Sequence, residues 1–393
     1  MSRLIRVLTI LAIVGGGSAL APVARAQGGP VPRACTNGIL PFQAISLICV
    51  PASGWNGDLV IYAHGYTPVT EPVALPQLVL NGVDVPLAAE SIGYAFATTS
   101  YRQNGLAFAQ GEDDIRNLLA AFTRQFGVPR HTYLFGASEG ALVTTLLAEQ
   151  SPQLFSGALS ICGPIGDFRQ EVNYLGNFHA LFDYFFPGVI PGNPIQIPQQ
   201  VISGFSSNYL PAALSAIRNN PGNTSQLIAT SHAAIDAGNP ATVLTTVQEL
   251  LSYNVLGTND ATAKLGGNPF DNHDRLYLGS SNDLLLNFGV SRFTASPTAL
   301  ANLAVDQTTG NLTIPMVTLH TIADDVVPYV QEVLYLSKVR TSGHGSIVPI
   351  PIFRYGHCNF TTSEVLGAFA LLVTEVTDEH SVADEASAVT SRT

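Results

Sequence analysis

From Asp58 onward, short apolar runs rich in β-branched and aromatic residues alternate with longer stretches of helical periodicity. The runs predict strands at Leu59–Ala63, Tyr94–Thr98, Thr132–Phe135, Ala158–Ile161, Met316–Leu319 and Val348–Phe353. Between and after them the pattern predicts helices at Gln110–Phe126, Ala141–Glu149, Val330–Val339 and Ser363–Thr377. Such alternation specifies an α/β fold, a mostly parallel sheet flanked by helices. Ligands of open α/β sheets bind beyond the carboxyl ends of the strands, and most of these runs lead directly into residue types that carry chemistry.

The rhythm breaks over residues 166–312, which are rich in Asn, Gly, Pro and aromatics (Tyr174, Phe178, Phe182, Tyr184, Phe185, Phe186). Helical patterns recur there near Val201–Ile217 and Thr242–Leu251. A segment of this length is too long for a loop and is expected to be a cap inserted over the strand ends. The core is then residues 27–165 and 313–377, and most of the cap aromatics are expected to form the cap's own core. Residues 378–393 are polar, small and acidic without an apolar period, so a disordered tail is expected. At the other end, residues 1–26 read as a secretory signal peptide. Arg3 and Arg6 precede a short apolar stretch, and Ala24-Arg25-Ala26 offers a small-x-small cleavage site. The expected destination is extracellular or periplasmic.

Composition narrows the function classes. The chain has 393 residues, 46% hydrophobic and 11% charged, enough apolar surface to build a core. Its only lysines are Lys264 and Lys338 and it has no basic run, which argues against a nucleic-acid partner. Losing Arg3, Arg6 and Arg25 with the signal peptide, and no acid, takes the formal charge from −11 to −14. Mean hydropathy is +0.26. Beyond the N-terminus no segment reaches the roughly 18 apolar residues of a spanning helix, so no stable membrane association is expected after signal cleavage. The sequence sets no oligomeric state. Four cysteines suit an oxidising compartment. Three pairings are possible. Cys35–Cys49 with Cys162–Cys358 is favoured, because the first closes a short loop and the second joins two predicted neighbours at one sheet edge. No metal-site spacing such as C-x-x-C or H-E-x-x-H occurs, and no metal or cofactor is expected.

The chemistry concentrates at Gly136-Ala137-Ser138-Glu139-Gly140, a G-x-S-x-G between a predicted strand and a predicted helix. The glycines let strand and helix approach, so that the Ser138 hydroxyl stands out at a helix N-terminus as a nucleophile. An oxyanion hole is expected from the backbone N–H of Glu139 and that of Tyr66, in the loop His64-Gly65-Tyr66 after an earlier strand. The Glu139 side chain itself is expected to point to solvent, its charge suiting the first turn of the helix. A base and an orienting acid must follow the serine in the chain. His357, in Gly356-His357-Cys358, is the expected base, with His320 as the alternative. Asp324 is the expected acid, with Asp325 left to cap the following helix.

These motifs, together with Asp324-x-x-Val-Pro328, resemble the α/β-hydrolase superfamily, in particular its secreted bacterial serine esterases and peptidases. The resemblance implies an α/β-hydrolase fold and a Ser-Asp-His triad acting through an acyl-enzyme without a cofactor. The His357-Cys358 pair is similar to that of tannase and feruloyl-esterase relatives, in which cysteines beside the serine and the histidine are bridged; here Ala137 precedes the serine. The leading expectation is a secreted carboxylic-ester hydrolase acting on a neutral or aromatic ester, since an acidic surface repels polyanions. A peptidase that binds a free amine through a cap acid such as Asp271, Asp274 or Asp283, and a catalytically silent binding protein, are the alternatives.

Overall fold

The computed structural model describes residues 35–80 and 83–390; the signal peptide expected at 1–26 lies outside the described residues, as do 391–393. One sheet has eight strands, β1 (Cys35–Ile39), β2 (Ile45–Cys49), β3 (Leu59–Ala63), β4 (Ala95–Thr99), β5 (Thr132–Ala137), β6 (Gly157–Ile161), β7 (Met316–Ala323) and β8 (Ile347–Tyr355). The helices, in chain order, are α1 (Val85–Ser91), α2 (Phe108–Phe126), α3 (Glu139–Gln150), α4 (Phe168–Phe185), α5 (Gln199–Gly204), α6 (Leu210–Asn219), α7 (Pro221–Ser231), α8 (Thr242–Leu265), α9 (Asp283–Gly289), α10 (Pro297–Val305), α11 (Val330–Ser342) and α12 (Thr362–Thr390). The strand order is β1-β2-β4-β3-β5-β6-β7-β8. Only β2 runs against the rest, antiparallel to both its neighbours, and all other pairs are parallel. This is the α/β-hydrolase fold.

The strands read as continuous apolar runs because both faces of the sheet are covered. Leu59, Ile61 and Ala63 of β3 join Ile115, Leu118 and Phe122 of α2 and Leu142 and Leu146 of α3 in one core. Val60 and Tyr62 turn the other way, with Phe96, Phe135, Leu159 and Val317, to meet Leu372 and Val376 of α12. The period-2 alternation therefore separates two layers that are both apolar, and each fully buried aliphatic side chain contributes about 1.5–3 kcal/mol. All six expected strands are present within a few residues of their predicted ends. The hairpin β1–β2 is additional; exposed Thr36, Asn37 and the small Gly38 gave β1 no apolar run to read.

Between β6 and β7 the chain builds a helical insertion, α4 to α10, around its own core of Phe178, Phe182, Phe185 and Phe186 with Val247 and Leu251. The pattern at Thr242–Leu251 is the first part of the much longer α8, and α4 is a full helix where only aromatic richness was legible. At the C-terminus α12 runs on to Thr390, through residues expected to be a disordered tail. No glycine or proline interrupts that stretch, and alanine and glutamate favour continuing the helix.

Two disulfides are formed. Cys35–Cys49 joins directly opposed residues of β1 and β2, and Cys162–Cys358 joins the end of β6 to the residue after His357. At the far edge of the sheet, β8 carries Pro349 and Pro351 within a pairing to β7 that keeps register from Ile347 to Ile352 and shifts before Tyr355, and Phe353 is 86% exposed. Among the described residues, no helix is long and apolar enough to cross a membrane.

Candidate active site

Ser138 occupies the single residue between β5 and α3, at φ 57° and ψ −126°, a left-handed conformation that a serine adopts only when its surroundings impose it. The flanking glycines are what make room. A methyl group on Gly136 would sit 2.1 Å from the Gly140 carbonyl oxygen, and one on Gly140 would sit 2.1 Å from the carbonyl of Ala63. β5, α3 and the end of β3 thus approach at van der Waals limits. The Ser138 N–H donates to the Ile161 carbonyl at 2.9 Å, fixing the turn to β6.

His357 reaches this serine from the loop after β8. Its Nε2 lies 2.9 Å from Ser138 Oγ, and its Nδ1 lies 2.9 and 3.1 Å from the two carboxylate oxygens of Asp324. Asp324 follows β7 directly and also accepts the N–H groups of Val326 and Val327 through Oδ1. Burial alone would push the Asp324 carboxyl up, but the His357 and His320 rings beside it outweigh burial and hold it well below the usual carboxylate range. Asp325 does not cap the following helix. It accepts the His357 backbone N–H at 3.1 Å and the Tyr355 hydroxyl at 2.7 Å, and so serves the loop that carries the histidine. The helix beyond has no side-chain cap. The Cys162–Cys358 sulfurs border the same spot, Cys358 Sγ lying 3.5 Å from His357 Nε2. Those sulfurs, grouped with His357, are committed to the bridge and offer no thiolates to a metal.

His320, the alternative base, has its ring nitrogens engaged elsewhere, with the Val327 carbonyl at 2.9 Å and Glu332 at 3.2 Å. The loop after β3 crosses the serine closely, since a methyl on Gly65 would lie 3.1 Å from Ser138 Cβ. Tyr101 stacks on His64 at 4.0 Å and donates its hydroxyl to the His64 carbonyl, bracing that loop. Glu139 heads α3, where first-turn N–H groups have no partner within the helix.

The Glu139 side chain does not face solvent; it is 7% exposed. Its Oε1 accepts the Ala107 N–H at 2.7 Å, and burial pushes its carboxyl up to about 7. Helix α8 covers it, held to the same loop by Asp260, which accepts the Leu106 N–H, and by Lys264, which donates to the Asn104 carbonyl. Sequence reading could not place α8 there, so the burial was missed. Also missed was Glu171 on α4, a fully buried carboxyl pushed well up by burial and by the charge of Asp324.

Two cavities meet at Ser138. The smaller, ≈ 120 Å³, lies between the core and the insertion, walled by Leu106, Phe168, Val172, Leu175 and Phe270 and bordered by Glu139 and Glu171. The larger, ≈ 530 Å³, is lined on the disulfide side by Val79, Val83, Val85, Ile161, Phe360 and Leu366, with His357 and Cys358. Tyr66 and Tyr253 border both, their rings 5.6 Å apart. Of the cap acids expected to bind an amine, Asp271 accepts the N–H groups of His273 and Ala295, and Asp283 binds Ser280; they border neither cavity.

A family model described as tannase-like and of unknown function (DUF6351) matches residues 41–274, more than half of the chain. The chain belongs to this tannase-like family. The matched span of the tannase-like chain holds Ser138 and the cap helices through α8, while Asp324 and His357 lie beyond it. Among solved structures, the chain is similar to an esterase of Pyrococcus furiosus at 10% identity, covering 93% of this chain and 99% of that one with a TM-score of 0.45. It is similar to the proline iminopeptidase of Mycobacterium smegmatis at 11% identity, covering 88% and 100% with a TM-score of 0.44. It is also similar to an acylaminoacyl peptidase of Pyrococcus horikoshii at 11% identity, with a TM-score of 0.43, covering 84% of this chain and 38% of that one. The chain thus spans about two fifths of that peptidase's length. No curated protein matches it.

Proposed function

We propose that this tannase-like protein is a secreted serine hydrolase that cleaves carboxylic esters through an acyl-enzyme. The observation that carries the reading is the hydrogen-bonded line from Ser138 through His357 to Asp324, opening onto a mostly apolar cavity on either side of the serine. Ser138 Oγ attacks the ester carbonyl while His357 Nε2 takes its proton, and Asp324 stabilises the imidazolium that forms. The backbone N–H groups of Glu139 and Tyr66 receive the oxyanion. His357 returns the proton to the departing alcohol, then deprotonates the water that releases the acid. With apolar walls on both sides, the reading favours esters that carry a bulky, uncharged group on each side of the scissile bond. Secretion is supported by the signal-peptide pattern and by the two disulfides.

A peptidase reading is favoured by one feature, the two buried carboxyls, Glu139 and Glu171, that border the smaller cavity where an amine would need a partner. Fluorophosphonate labelling of the wild type and of Ser138→Ala, with a panel of p-nitrophenyl esters and aminoacyl anilides, separates the readings. Serine-dependent labelling with ester turnover alone supports the esterase, and turnover of anilides bearing a free amine supports the peptidase. An unlabelled wild type overturns both. Mass spectrometry of the exported protein tests secretion, with Gln27 expected as its first residue.

A further inference from the structure

A second imidazole besides His357 stands at the Asp324 carboxylate. His320, on β7, is 1% exposed and lies 3.4 Å from the Asp324 Oδ2 that also faces His357. Its Nε2 is 2.9 Å from the Val327 carbonyl, which can only accept, so that nitrogen carries hydrogen. Its Nδ1 is 3.2 Å from Glu332 Oε1 on α11, and the other oxygen of Glu332 accepts the Thr318 hydroxyl at 2.8 Å. The ring is therefore gripped by a carboxylate on each side. Burial alone would strip it of its charge, but its bonds to Asp324 and Glu332 prevail and push it up to about 10. Two further groups face it. Glu171 on α4 is close enough to interact with it and is pushed well up by burial, and Tyr329 meets the ring edge-on at 5.7 Å.

We propose that His320 is a positioning residue, a fixed buried cation, pinned by Glu332, that orients the Asp324 carboxylate toward His357 and moderates the negative field His357 experiences. This rests on the serine-hydrolase reading above. Its sign is definite. A positive charge beside Asp324 lowers the affinity of His357 for a proton, keeping the base free at lower pH. Without it, the acidic limb of kcat/KM moves upward by about one pH unit.

The test is His320→Gln, whose amide still fills the site and donates a hydrogen bond. The expected result is a lower kcat, an unchanged KM and an acidic limb displaced to higher pH. A uniform loss at every pH with the limb unmoved would mean a structural role only and overturn the proposal. If that variant does not fold, NMR of 15N-histidine-labelled wild-type protein decides. One imidazole is expected to stay doubly protonated above pH 8, and Glu332→Gln is expected to bring its titration down. If every imidazole loses its second proton below pH 8, the proposal fails. That measurement needs no turnover, so an inactive wild type would sink the hydrolase reading and leave the charge of His320 still measurable.

Discussion

Asp324 and Asp325, neighbours in the chain, hold the same histidine from two directions, the first at the Nδ1 of the His357 ring and the second at its backbone N–H. One carboxylate addresses the tautomer, the other the loop. Their substitutions should differ in kind. Asp324→Asn is expected to lower kcat by roughly 10⁴-fold by presenting the wrong tautomer, whereas Asp325→Asn, which only loosens the loop, should cost about 10- to 100-fold. Steady-state kinetics on a p-nitrophenyl ester would check the ratio, and equal losses would contradict the division of labour.

Glu139 ties stability to pH. Its carboxyl titrates near 7 in the folded protein against 4.5 ordinarily, because burial disfavours its charge. Between those values the unfolded chain has released a proton that the folded protein keeps, so stability falls as pH rises through that window. Urea unfolding at pH 5 and pH 7.5 should show a decline in stability, and Glu139→Gln should make that decline smaller by about 1–3 kcal/mol. Glu112, also pushed up to about 7 by burial, adds a decline of the same sign to both proteins.

The two disulfides should separate stability from turnover. Cys162–Cys358 spans 196 residues of sequence and Cys35–Cys49 spans 14. Replacing either pair by serine should cost about 2–5 kcal/mol. Only the first borders His357, so only its loss should also depress kcat. Comparing unfolding midpoints with kcat for the two double variants checks this, and equal kcat losses would refute it.

Glycines offer an internal contrast. Gly140→Ala drives a methyl into the Ala63 carbonyl and should abolish soluble folded protein or cost more than about 3 kcal/mol. Gly222, on α7 with nothing near it, should accept alanine and gain about 0.5–1 kcal/mol. Thermal unfolding of the pair is the measurement.

What the sequence made legible was whatever depends on local pattern. The strands of a two-faced sheet are continuous apolar runs, and the elbow at Ser138 is written in glycines two residues either side. Asp324 and His357 could be picked out because each directly follows such a run. What stayed hidden depends on distant packing. Glu139 is buried because α8 crosses above it, more than a hundred residues later in the chain. His320 was legible as a histidine at a strand end, but its bond to Glu332 on α11 was not. The division between Asp324 and Asp325 was only half readable, since the cap expected of Asp325 gave way to a bond with the Tyr355 hydroxyl.

The outer strand β8 has a consequence for the molecule in company. Its pairing to β7 keeps register across Pro349 and Pro351, so the N–H groups those prolines lack are missing from the open side. A strand from another molecule approaching that edge would find carbonyl oxygens but no donors at two alternate positions. At two alternate positions the last strand of the sheet thus offers a neighbour acceptors alone, a local discouragement to edge-to-edge pairing on that side.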